Sequence, residues 1–162
     1  METDPGQAGE PSASVNTVAD ILLVEDNALD AQLTIRALNR CGLTHRFEHV
    51  SDGTEALEYI RSLSLFARRD AATPRLILLD LGLHKLGGLH VLRQLKSDER
   101  TKSIPIVVLT SSNLAIELTQ SYQFGVNSYV IKPTDPVKFQ EAVAAIGRYW
   151  LSINEPPPAH FG

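Results

Sequence analysis

Five short apolar runs punctuate the chain: ILLV at 21–24, RFEHV at 46–50, LILL at 76–79, IVVL at 106–109 and YVI at 129–131. Four are unbroken and rich in branched side chains, the pattern of strands buried on both faces of a parallel sheet. The second alternates, with Phe47 and His49 set against Glu48 and Val50, which predicts an edge strand. Between the runs the spacing becomes helical. Asp26 or Asn27 is placed to cap a helix carrying Leu29, Leu33 and Ala37, and Gly42 suits its C-terminal end. Asp52 and Gly53 lead into Ala56, Leu57 and Ile60, and Gly88 leads into Val91, Leu92 and Leu95. Ser112 is placed to cap a helix over 114–124, with Gly125 after it. Asp135 and Pro136 supply an N-cap and a first-turn proline to a helix with the stripe Phe139, Val143, Ile146 and Trp150. Strand and helix alternate five times, so the expected fold is an α/β, doubly wound (βα)5 sandwich around a parallel five-stranded sheet.

The flanks read differently. Residues 1–18 hold no Lys or Arg and no apolar block, so they do not read as a signal peptide; a disordered tail is expected. Residues 153–162 contain Pro156, Pro157 and Pro158, a stiff extension that cannot continue a helix. One folded domain is therefore expected over 19–152. A length of 162 residues leaves no room for a second domain of ordinary size. Fifteen basic against nineteen acidic side chains give a net charge of −4, which argues against nucleic acid or an anionic membrane as the main partner. No apolar run approaches the roughly 18 residues of a membrane helix. The lone Cys41 cannot form an internal disulfide, which fits a reducing cytoplasm.

In such a sheet, ligands bind beyond the carboxyl ends of the strands. Glu25 and Asp26 follow the first run, Asp80 the third, Thr110 the fourth, and Lys132 and Pro133 the fifth. Three carboxylates, a hydroxyl and an ammonium thus converge at one end. Crowded carboxylates repel unless a cation neutralises them, and an all-oxygen set suits Mg²⁺. A single strand-end Asp is most often only a helix cap; residues of the right types at four strand ends are a specific pattern.

With these marks, and in the stretches ILLVEDN, LILLDLGL, IPIVVLTSS and YVIKPTD, the chain resembles the receiver domain of response regulators over about 19–151. It is most similar to the branch associated with phytochrome-type sensor kinases, an affinity also seen in AIGRYWLSI. The resemblance implies a flavodoxin-like sheet order 2-1-3-4-5. It implies that Asp80 accepts a phosphoryl group from a phosphohistidine on a sensor histidine kinase. It implies Mg²⁺ held by Glu25, Asp26, Asp80 and the backbone carbonyl of Gly82. Lys132 would neutralise phosphoryl oxygens, Thr110 would donate its hydroxyl to one, and Tyr129 would change rotamer as Thr110 moves. Residues alone leave the Lys132–Pro133 bond open, trans being the commoner state; the resemblance implies cis. It further implies signalling through the fourth helix, fifth strand and fifth helix, here 114–124, 128–131 and 136–152. Tyr149, Trp150, Leu151 and Ile153 at the end of that helix are candidates for a homodimer interface, since Trp and Tyr are enriched in interfaces.

Two positions depart from the family. His84 stands where Pro is usual, and Gly82 where a polar residue is usual. The carbonyl of residue 82 survives any side chain, so metal binding is expected to survive. The resemblance also implies that the side chains at Gly82 and Ser112 tune the lifetime of the phosphorylated state. His84 reads as a solvated loop residue, and His45, His49, His90 and His160 show no metal spacing. Cys41 reads as a small buried thiol. The expected protein is a phospho-accepting module rather than a turnover enzyme, with no attached output domain. A degenerate scaffold is the first alternative, supported only by the altered loop at 82–87. An aspartyl-phosphate hydrolase would need an acid two residues past Asp80, where Gly82 stands. A nucleotide or flavin site lacks a Gly-rich loop after the first strand.

Overall fold

Every residue of β1 (Ile21–Val24), β3 (Leu76–Leu79) and β4 (Ile106–Thr110) is buried. A strand sends successive side chains to opposite faces, so burial of all of them requires cover on both sides. In the computed structural model, which describes residues 19–42, 45–66 and 73–157, helices provide that cover. On one face Ile21, Leu23, Leu76, Leu78, Val107 and Leu109 pack under α1 (Ala28–Asn39) and α5 (Pro136–Arg148). On the other, Leu22, Val24, Ile77, Leu79, Ile106 and Val108 pack under α2 (Gly53–Phe66) and α3 (Gly88–Ser97). Each such buried aliphatic contributes about 1.5–3 kcal/mol. Exposed ion pairs at the surface contribute about 1 kcal/mol or less each, so the sheet core dominates stability.

The strand order is β2 (Phe47–Val50), β1, β3, β4, β5 (Ser128–Ile131), all parallel. This is the expected doubly wound (βα)5 arrangement, with α4 (Ala115–Gln123) completing the alternation. The expected tail at 1–18, and residues 158–162 with Pro158 and His160, lie outside the described residues. Several caps agree with the expectations. Asn27 Oδ1 accepts the Asp30 N–H, and Asp135 Oδ1 accepts those of Val137 and Lys138.

Other details differ. β2 borders only β1, the edge position expected, but its burial does not alternate: Val50 is buried while Glu48 and His49 are both exposed. β5 is the opposite edge, half-buried with Ile131 half exposed, rather than a fully buried strand. The buried face of α1 is Ala31, Thr34, Ala37 and Leu38; Leu29 points to solvent. α4 begins at Ala115 with Leu114 as N-cap, and the Ser112 hydroxyl instead accepts the Leu114 N–H in the preceding turn. Cys41 is half-buried, its thiol against the carbonyls of Ala37 and Ala144. The Lys132–Pro133 bond is trans, since no cis peptide occurs among the described residues; trans is favoured by about 0.5–1 kcal/mol for an X–Pro bond. After α5 the chain tightens into a wide π-type turn over Tyr149–Ile153, which points Leu151 into the core beneath α1 and α5. Leu151 is thus removed from the candidate interface residues, and Trp150 is half-buried against the same core.

Candidate functional site

Each site residue is the last residue of a strand or one of the first beyond it, and the sheet's own hydrogen bonds hold its backbone. Asp80 N–H donates to Val24 O (3.0 Å), Glu25 N–H to Val50 O (3.1 Å) and Lys132 N–H to Thr110 O (2.7 Å). The parallel register therefore carries Glu25, Asp80, Thr110 and Lys132 to one rim. They line an open cleft of about 780 Å³ with Asp26, Asp30, Gly82, His84 and Ser112.

Lys132 is the hub. Its ammonium donates to Glu25 Oε2 (2.6 Å), Asp30 Oδ2 (2.9 Å) and Asp80 Oδ2 (3.3 Å), and it is almost wholly buried. Burial alone would lower its pKa, but hydrogen bonds to Glu25 and Asp30 and the charge of Asp80 hold it above the ordinary lysine value. Glu25 is 3% exposed. Burial pushes its carboxyl up to about 7; the Lys132 hydrogen bond opposes this and the Asp80 charge adds to it. Five carboxylates, those of Glu25, Asp26, Asp30, Asp80 and Glu117, line the cleft with this one ammonium. The site is therefore short of positive charge.

A cation fits that shortfall. Ligand atoms of Glu25, Asp26 and Asp80 all lie within 4.8 Å of one another. Asp26 Oδ2 is buried and accepts no hydrogen bond. A buried carboxylate oxygen left in that state is costly unless something positive meets it. The Gly82 N–H donates to Asp80 Oδ1 (3.2 Å). A Cβ at position 82 would stand 3.9 Å from both Asp80 oxygens, so this flank carries no side chain.

Thr110 and Tyr129 are joined through one residue. Ser112 N–H donates to Thr110 Oγ1 (3.3 Å), and Ser112 O accepts from Tyr129 Oη (3.0 Å). Tyr129 is thus turned inward against the α2–α3 side of the core. Burial raises its phenol pKa, with the Ser112 hydrogen bond opposing. Pro133 follows Lys132 at the start of the loop into α5.

Tyr149 and Ile153 lie away from this rim and are exposed. Sequence reasoning missed Asp30. It stands in the first turn of α1 and reads as a dipole-complementing helix residue; its four-residue spacing from Asp26 was the available signal. It also missed that His84, 89% exposed, has Nε2 3.2 Å from Asp26 Oδ2.

A family model described as a response regulator receiver domain matches residues 21–144. A protein of Methanothrix harundinacea described as "Probable methanogenesis regulatory protein FilR2" is 44% identical over 137 residues, 85% of this chain and 86% of that protein. Response regulator Rcp1 of Synechocystis is 33% identical over 139 residues, 86% of this chain and 93% of that protein. The Mn²⁺-bound form of response regulator Rcp1 aligns with a TM-score of 0.77 at 33% identity, covering 86% of this chain and 98% of that one. The phosphorylated cyanobacterial phytochrome response regulator RcpA aligns with a TM-score of 0.79 at 38% identity, covering 87% of this chain and 99% of that one. Among the described residues no helix is long and apolar enough to cross a membrane.

Proposed function

The chain belongs to the response regulator receiver family, and from that premise we propose that Asp80 is its phosphoryl acceptor and that a phytochrome-type sensor histidine kinase is its donor. The protein is a phospho-accepting response regulator of a two-component system. The observation that carries the assignment of Asp80 is its contact with Lys132, whose ammonium reaches Asp80, Glu25 and Asp30 at once.

In this reading an Asp80 carboxylate oxygen attacks phosphorus in line with the leaving nitrogen of the phosphohistidine. A P–O bond forms as the P–N bond breaks, and histidine leaves with the electron pair. Lys132 offsets charge on the transferred oxygens as a compact ammonium. Thr110 donates its hydroxyl to one of them. Because Ser112 bonds both Thr110 and Tyr129, a shift at Thr110 is felt at Tyr129. Glu25, Asp26, Asp80 and the Gly82 carbonyl would hold a divalent cation, Mg²⁺ by the hardness of the oxygen set, which supplies positive charge against the carboxylates and phosphoryl oxygens. The protein assists its own phosphorylation and dephosphorylation without turning over a separate substrate. It works in the cytoplasm, where a single thiol suffices.

The signal leaves through a homodimer face. Of nine exposed large apolar side chains among the described residues, eight (Leu114, Ile116, Leu118, Tyr122, Ile131, Val137, Tyr149 and Ile153) lie on α4, β5, α5 or their flanks, and only Leu29 lies elsewhere. Such concentration is what an interaction surface requires. Incubation with Mg²⁺ and acetyl phosphate should add the mass of one phosphoryl group to the wild type and none to Asp80→Asn. No addition to the wild type would favour a phosphorylation-independent scaffold.

A further inference from the structure

Resting on the metal-binding reading above, we propose that His84 supplies a nitrogen ligand to the cation at Glu25, Asp26 and Asp80, and so shifts the preference of the site from Mg²⁺ toward Ni²⁺ and related imidazole-binding ions. His84 Nε2 lies 3.2 Å from Asp26 Oδ2. On an octahedral ion with bonds of about 2.1 Å, neighbouring ligand atoms stand about 3.0 Å apart. The spacing to Asp26 is that of two adjacent ligands; His84 is not among the residues whose ligand atoms all lie within 4.8 Å of one another, so its exposed ring reaches the ion by turning inward.

The contact is not a hydrogen bond in this arrangement, because Asp26 Oδ2 remains without a hydrogen-bond partner although buried. Both residues line the same cleft, and their contact is an ion pair only when the imidazole is protonated. Packing does not explain the position of the ring: the side chain is 89% exposed, and among the described residues Asp26 is its one polar contact. It lines the cleft together with Gly82, whose missing side chain leaves the approach beside Asp80 clear.

The other histidine near the site is committed elsewhere, since His49 Nε2 is bonded to Glu25 O at 2.8 Å. Imidazole suits Zn²⁺, Ni²⁺ and Cu²⁺, whereas Mg²⁺ prefers carboxylate, carbonyl and water oxygen. One imidazole added to an oxygen set therefore strengthens transition-ion binding and leaves Mg²⁺ binding nearly unchanged.

The test measures Mg²⁺ and Ni²⁺ affinity by calorimetry at about pH 8, where an ordinary imidazole is neutral, on the full chain, His84→Ala and His84→Gln. Electron spin-echo spectra of the Mn²⁺ complexes report directly on nitrogen bound to the metal. We expect a ¹⁴N coupling in the wild type that both variants lose. The Ni²⁺ to Mg²⁺ affinity ratio should fall by roughly tenfold in both. Metal binding with an unchanged ratio, or a wild-type complex without nitrogen coupling, overturns the role of His84 and leaves the metal site standing. Absence of binding by either ion in all three proteins overturns the metal-binding reading itself, and the inference with it. Because His84 is exposed, both variants should fold; matching near-ultraviolet circular dichroism checks this.

Discussion

Glu25 accepts hydrogen bonds from the Asn27 N–H and the Lys132 ammonium, yet its carboxyl sits at about 7. Taking the carboxylate out of water costs more than these bonds return, and Asp80 adds repulsion. A carboxyl raised in the folded state binds its proton more tightly there than in the unfolded chain. Its contribution to stability is therefore full below its ordinary value of 4.5 and is lost as pH rises through about 7. In metal chelator, the unfolding free energy should show a downward component between those values that Glu25→Gln lacks. Urea titrations of both proteins across that window measure it, and equal slopes would refute the assignment to Glu25. Asp26, Asp80, Thr110 and Lys132 were legible as single residues because each follows an apolar run. Asp30 was not, because an acid in a first helical turn has a sufficient local reason to be there. The contact of Asp30 with Lys132 joins residues far apart in the chain and exists only once α1 packs beside β5's exit loop.

At the scale of elements, the connection from β3 to α3 sets where Asp80 points. Gly88 opens α3 against the strand end, and a Cβ there would collide with Asp80 O and lie 2.6 Å from Leu81 Cα. Both obstacles are backbone, so neither can swing away. Gly88→Ala should destabilise by about 1–3 kcal/mol, the usual cost of overpacking. It should also reduce phosphoryl uptake from acetyl phosphate several-fold, because relief of the clash moves the backbone that carries Asp80. Urea midpoints and intact mass after timed incubation check the two effects. A variant with wild-type stability would show that the loop yields freely. The glycine was visible in the sequence as the residue before Val91, Leu92 and Leu95, but only as a helix boundary. The carbonyl it must avoid belongs to Asp80, eight residues earlier, and local spacing does not report that approach.

For the whole molecule, the concentration of exposed apolar side chains around α4, β5 and α5 calls for cover by another surface. Tyr149 and Ile153 extend it along the π-type turn after α5, while Leu151 on the same turn is buried and serves the fold. Truncation after Ser152 keeps Leu151 and removes Ile153 and the proline segment. Sedimentation of the truncated protein should show self-association weakened by tenfold or more, on the order of one lost buried apolar anchor. A dimer of undiminished affinity would show that Ile153 and the residues after it take no part in the interface.

Sequence alone determined the alternation of five strands and five helices, because burial on both faces demands unbroken apolar runs and one-sided burial demands helical spacing. It also determined the chemistry at the strand ends, because a parallel sheet places all its carboxyl ends on one rim. Tertiary structure decided which edge residues are wet, which α1 residues face inward, and which way the last turn sends Leu151 and Tyr149. It alone brought Asp30 to Lys132 and His84 to Asp26. The physical reason is range: periodicity records what a residue's own element needs, whereas contacts between loops depend on how elements pack and on charges that meet only after they do.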